Sequence, residues 1–284
     1  MKKRFSMRNK LLIIFGLLIA LATSVEGLLA IRTARRAVVE KIEIHLTDKA
    51  TDTAEIIDGR INAFFQFLEG IARMPVLRDS SSSNNEKLSI MQKEVAFNAD
   101  LHEAALVDLD GFLLTSDERK ISVKDYQWFQ TVIKGQRTIT EPFISVTDGK
   151  LVITFAVPIY DENNIQSGVL GAVVLAEWLT DQIDDIVVGK TGSVYIVGTS
   201  GTTIADTNFE TVTSMWNSAK AAESDNLLKP VAEIEQNTLN SQQAIFGNYY
   251  YKGVMKISAG KIMNNGWAVI VFAPIEEFMG SVDE

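Results

Sequence analysis

Between Ile42 and Ile71 the apolar positions Ile42, Leu46, Ala50, Thr53, Ile57, Ile61, Phe64, Leu68 and Ile71 are separated by fours and threes. That mixture is the signature of a helix with one buried seam. The pattern predicts a stalk helix over residues 32–71; some 35 helical residues span about 50 Å at about 1.5 Å each. Two packings of the seam are open. It covers the chain's own domain or, in its first half, also a second copy of the chain as in a coiled coil, with Ala50 and Thr53 the weak positions.

Ahead of this helix the chain is apolar from Leu11 to Val25 and again, past Glu26 and Gly27, to Ile31. A run of 21 residues matches the roughly 20 that a helix needs to cross a bilayer. Lys2, Lys3, Arg4, Arg8 and Lys10 precede it. The positive-inside rule then predicts a cytoplasmic basic N-terminus at 1–10, a transmembrane helix at 11–31 and an extracytoplasmic body. The alternative is a cleaved signal peptide: Leu11–Ile19 has the length of its apolar region, and Ala20-Leu21-Ala22 has the small-x-small form. The return of apolar residues at Leu28–Ile31 favours the uncleaved anchor, and both readings export the body.

Pro75 ends the helical pattern, and the polar RDSSSSNNE (residues 78–86) leads to a short amphipathic helix over 86–98. Then alternation takes over. EAALVDLDGFLLTSD (103–117) reads as a hairpin, with strands Ala105–Val107 and Phe112–Thr115 around a DLDG turn. Asp108 and Asp110 are read as turn formers rather than a catalytic or metal pair. Three further strands, joined by TDGK and DENN, run through Leu151–Pro158 and Gly168–Leu175 and predict an antiparallel sheet. The order repeats: GSVYIVGTSGTTIAD (192–206) matches the first hairpin, and GVMKISAGKIMNNGWAVIVFAP (253–274) the later strands. The offset of about 90–100 residues exceeds solenoid periods. The expected fold is therefore α+β, with two strand-rich units; Thr211–Phe246 is the least regular part, polar and helix-prone.

Composition narrows the function. The chain has 284 residues, 46% of them hydrophobic, and no cysteine, which excludes disulfides, thiolate metal sites and a cysteine nucleophile. Residues 1–41 hold nine Lys/Arg and two acids, leaving 18 basic and 34 acidic groups for the rest. So acidic a body argues against binding nucleic acid. His45 and His102 have no acid or serine companion motif nearby, and GKTGS (189–193) lacks the earlier glycine of a phosphate loop. No catalytic constellation, metal site or cofactor is expected.

One segment stands out: DYQWFQTVIKGQ (125–136) packs Tyr126, Trp128 and Phe129 into a polar stretch. An apolar segment, a long stalk helix, this aromatic segment running on into TITEPFISVTDGKLVITFAVPIYDENNIQSGVLGAVV, and VVGKTGSVYIVGTSGTTIAD in the second unit together resemble the double Cache sensor domain. The likeness covers roughly residues 35–278. That family forms the extracytoplasmic ligand-binding part of methyl-accepting chemotaxis proteins and of some sensor kinases and cyclases. The resemblance implies two PAS-like modules, a membrane-distal one at 72–178 with the ligand pocket and a membrane-proximal one at 179–278. Residues 279–284 would lead into a second span in a longer receptor. It also implies no enzyme activity, a homodimer and a small-molecule ligand. The rival reading is an exported soluble binding protein.

In the amino-acid-binding branch of the family, an Arg two residues before the Trp grips the ligand carboxylate and an Asp in the third strand holds its ammonium. Here Tyr126 and Val173 stand at those positions, while Trp128 is kept and Phe143 replaces a Tyr. The expected site is an aromatic box of Tyr126, Trp128, Phe129 and Phe143, with Thr115, Ser116, Asp117 and Asp148 at its rim. It would stack a planar ring or enclose a cation, so the ligand expected is uncharged or weakly cationic rather than a standard α-amino acid. The plain alternative, that these rings only pack helix on sheet, is open for Phe129 above all.

Overall fold

The computed structural model describes residues 7–115, 121–145 and 148–279. It opens with one helix, α1 (Met7–Ala72), of 66 residues, about 100 Å long at about 1.5 Å per residue. Its first half is apolar yet bare, with Leu12, Leu17, Leu21 and Leu28 all exposed. By length and composition this part is long and apolar enough to cross a membrane, at a mean hydropathy of 1.7. In the second half every seam position from Ile42 to Ile71 is buried, and what buries them is the chain's own two sheets.

After α1, Pro75 opens α2 (Pro75–Arg78), where its missing N–H costs no helical hydrogen bond. Ser83 and Glu86 form a reciprocal capping box on α3 (Asn84–Phe97), which starts two residues before the hydrophobic pattern does. The first sheet follows: β1 (Glu103–Val107), then α4 (Gln127–Val132), β2 (Thr138–Ile139), β3 (Phe143–Ile144), β4 (Leu151–Tyr160) and β5 (Gln166–Leu175). The strands are antiparallel in the order β1-β5-β4-β2, with β3 also on β4. The expected strand over Phe112–Thr115 is reduced to the isolated bridges Val107↔Leu113 and Phe112↔Ser122. The Asp108 Oδ1 atom accepts from the amides of Asp110 and Phe112, and Gly111 turns at φ +88° against Lys124 and Phe129. The turn closes a minimal hairpin, in which Asp108 donates its amide to the Phe112 carbonyl and Leu114 its amide to the Leu106 carbonyl.

A short α5 (Glu177–Asp181) leads to the second sheet of β6 (Ser193–Val197), β7 (Thr203–Asp206), β8 (Ile245–Tyr251), β9 (Val254–Ile262) and β10 (Ala268–Pro274), ordered β7-β6-β10-β9-β8. Between β7 and β8 lie α6 (Phe209–Thr213), α7 (Ser218–Ala222) and α8 (Lys229–Leu239), and α9 (Glu276–Met279) follows β10. Strand β8 was not foreseen. Its tyrosines read as polar, but Tyr249 is buried with Val231 and Ile234 of α8.

One face of each sheet joins α1 in a single core. At its centre Phe64 lies 4.6 Å from the Phe155 ring and 5.1 Å from Trp178, and Phe65 lies 5.1 Å from Phe155. Polar bonds fasten the same helix to both sheets. Arg60 grips Asp185 with two bonds of 2.7 Å, Asp58 accepts from the Asn264 amide at 3.1 Å, and Arg137 donates to Asn62 and Glu69. The modules also touch directly, because the Glu141 carboxylate accepts from the Thr199 amide and hydroxyl at 2.6 and 2.7 Å.

GKTGS is an ordinary loop: the Glu277 carboxylate takes the amides of Lys190 and Thr191. A Cβ at Gly192 would sit 2.3 Å from the Phe272 carbonyl and 2.4 Å from that of Val188. Backbone oxygens cannot swing aside, so Gly192→Ala is expected to destabilise the chain by about 3 kcal/mol, the top of the usual overpacking range. Denaturant unfolding measures it.

Candidate ligand-binding site

Side chains alternate across a strand, so the first sheet's second face presents Val107, Thr154, Ala156, Val169 and Val173, with Phe143 opposite Val152. Helix α4 lies on this face. Its Phe129 and Val132 are buried with Val107, Val123, Ala156 and Val169. Phe129 is only 2% exposed and is a core residue of the helix–sheet contact. Trp128 is half-buried at the edge of that cluster, its ring 6.1 Å from Phe129 and nearly perpendicular to it. Tyr126, at the start of α4, is exposed and lies 6.3 Å from Trp128 with the planes 33° apart. The two outer rings therefore form a ledge over the sheet, while the third anchors it.

Val173 sits half-buried on β5, facing Glu103 on one side and Thr154 on the other. His102 donates its amide to the Val173 carbonyl, and its Nε2 lies 2.7 Å from Asp148 Oδ2. So Asp148 reaches the Val173 end of the face through His102, a partner that sequence spacing gives no means of finding. The hydrogen bond from His102, then that from the Lys150 amide, hold the Asp148 carboxyl down at about 2. It is an anion throughout the physiological range. Thr115 instead lines a separate cleft of about 510 Å³ with Leu77, Lys87, Asp110 and Ser167. Ser116 and Asp117 lie outside the described residues.

The face thus offers aromatic edges, an apolar floor and an anionic rim. Neither Tyr126 nor Val173 carries a charge that could form an ion pair with a ligand's carboxylate or ammonium. Binding and orienting a small molecule is within its means.

A second constellation lies on the corresponding face of the second sheet, under α8. Glu235 is buried there, accepting from the Tyr195 hydroxyl at 2.8 Å and from the Ser218 hydroxyl. Burial pushes its carboxyl up to about 7, against the pull of those two bonds. A signal for it existed in the sequence: Val231, Ile234, Glu235 and Thr238 are the buried positions of α8, and an acid inside such a stripe demands a buried partner.

Two mixed antiparallel modules strung on one long helix define a tandem sensor-type fold, and the sequence bears this out: the chain belongs to the Cache domain family, whose profile matches residues 30–282. It is 32% identical over 83 residues to the methyl-accepting chemotaxis protein McpB of Bacillus subtilis, a match covering 28% of this chain and 12% of that protein. Among solved structures it resembles the ligand-binding domain of the Pseudomonas fluorescens chemoreceptor CtaA in complex with L-isoleucine. There the TM-score is 0.65 at 17% identity, covering 88% of this chain and 99% of that one. It also resembles the ligand-binding domain of the Campylobacter jejuni chemoreceptor Tlp3 in complex with 4-methylisoleucine, with TM-score 0.63, 16% identity and coverage of 85% and 94%. At such identities the likeness is one of fold.

Proposed function

We propose that this chain is the sensing part of a transmembrane chemoreceptor, anchored in the inner membrane by residues 11–31 of α1, with both modules outside the cytoplasm. The first module is membrane-distal and takes a small ligand on its α4 face, beside Tyr126, Trp128, Phe143, Val173 and Asp148. The observation that carries the reading is the unbroken course of α1. One rigid rod leaves the apolar segment and becomes the spine on which the sheet behind α4 is packed, through Phe64, Phe65 and Phe155. A ligand that binds one arrangement of sheet and helix better than another moves that helix, and shifts of about 1–2 Å are enough to switch helix interfaces. Pairing of two copies along the exposed side of α1, where Val39, Ile44 and Ile56 are bare, completes the arrangement.

The ligand is uncharged or weakly cationic, since the positions that would hold both charges of an α-amino acid are Tyr126 and Val173. The full chain in detergent micelles, screened by thermal shift against amines, purines, sugars, organic acids and L-amino acids, tests this. A binder stabilises as RT ln(1 + [L]/Kd). The expected hit is a neutral or amine compound whose affinity falls at least tenfold in Trp128→Ala; tight binding of ordinary L-amino acids at this face would refute the ligand class. Retention of the chain in membranes washed with alkali tests the anchor, whereas a mature protein starting near Thr23 would favour the exported binding protein.

A further inference from the structure

The second module holds a cavity that the proposed function leaves unused. It has a volume of about 70 Å³ beneath α8, the space of about two waters at about 30 Å³ each in the liquid, and so takes only a small molecule. Trp216, Tyr249, Tyr251 and Phe272 wall it, and Thr203, Asp206, Glu235 and Lys256 supply its polar groups.

Glu235 is already satisfied, each oxygen accepting one hydroxyl. Lys256 is not. Its ammonium lies 4.0 Å from the Phe272 ring centre and 5.2 Å from that of Tyr251, and among the described residues nothing accepts a hydrogen bond from it. An ammonium half withdrawn from water, with three donors and no acceptor, is costly. A ligand that brings acceptors removes that cost. A cationic ligand would add a second positive charge where Lys256 already occupies the aromatic cage and offsets the charge of Asp206. An anion with an apolar end fits both the free donors and the ring walls.

We propose that this cavity is a binding site for a short carboxylate, its oxygens on the Lys256 ammonium and its carbon end among Trp216, Tyr251 and Phe272. The incoming negative charge lies near Asp206 and Glu235, so binding favours the protonated form of Glu235 and takes up protons. Tyr195 and Tyr249, facing the same space, stay neutral hydroxyls because burial raises both.

Isothermal calorimetry on the full chain in micelles, with acetate, propionate, lactate, glycine and methylamine as probes, tests the assignment. Propionate or lactate is expected to bind, more tightly at pH 6 than at pH 8. Titrations in two buffers of different ionisation enthalpy should report net proton uptake. Lys256→Met should weaken binding at least tenfold, Lys256→Arg should keep a measurable part of it, and Trp128→Ala, in the other module, should leave it unchanged. Glycine binding alongside propionate would agree with the assignment and show that an added amine is tolerated. Binding of methylamine but of no carboxylate, no binding at all, or a Lys256→Met chain that binds like the parent would overturn it. A folded Lys256→Arg chain with intact affinity for neither acetate nor propionate, measured where the parent binds, would do the same.

Discussion

Replacing Phe155 by alanine is expected to cost about 3–5 kcal/mol, the range for a large aromatic removed from a packed core. The ring has no exposed surface and touches Phe64, Phe65 and Trp178 at once. No neighbour is free to fill the space, since Phe64 and Phe65 are fixed on α1 and Trp178 on α5. Guanidinium unfolding followed by tryptophan emission reads the loss, because Trp178 lies 5.2 Å from the deleted ring. A functional consequence follows from the same contact. Phe155 joins the sheet that carries the α4 face to the helix proposed to leave for the membrane, so Phe155→Leu, milder in stability, should retain ligand affinity while blunting the response of α1. Spin labels placed on α1 would detect that split; a variant with normal coupling would detach the aromatic contact from the mechanism.

Glu235→Gln should change the dependence of stability on pH. The folded carboxyl titrates at about 7 against 4.5 for the ordinary group, so between those values the native state holds a proton that the unfolded chain has lost. Stability contributed by that proton is complete below about pH 4.5 and disappears as pH rises through about 7. The difference amounts to about 3 kcal/mol at about 1.4 kcal/mol per unit. The glutamine variant keeps an acceptor for Tyr195 and carries no charge. It is expected to unfold at similar denaturant concentration near pH 4.5 and to be more stable than the parent by about 3 kcal/mol at pH 8. Asp206, raised by burial, works in the same direction as Glu235, and Lys256, lowered by burial, works in the opposite one, both being common to parent and variant. Parallel pH profiles for parent and variant would show that Glu235 is ionised in the fold throughout.

Much of the architecture was legible in one dimension because burial follows period. The α1 seam named from its fours and threes is buried at every position, and β1, β4, β5, β6, β7, β9 and β10 fall where alternation and turn residues put them. The misses have a common cause. The strand expected at Phe112–Thr115 is divided between two partners, Leu113 bridging to Val107 of β1 and Phe112 to Ser122 ahead of α4, so neither pairing extends into a ladder. Strand β8 broke the alternation rule, its tyrosines and Asn248 hiding a ladder with β9. The aromatic trio around Trp128 was visible as a cluster, yet its division into one core ring and two outer rings depends on which way α4 turns on the sheet.

What the sequence determined by itself is whatever local periodicity and composition encode: an apolar segment, a long one-sided helix and two antiparallel modules. Only the tertiary structure decided which side chains meet. His102 beside Asp148, Ser218 on Glu235, and Tyr195, Glu235 and Lys256 around one small cavity, come from separate elements as many as 61 positions apart. A hydrogen bond or a shared cavity is set by distance in space, and no pattern along the chain carries that distance until the sheets have formed.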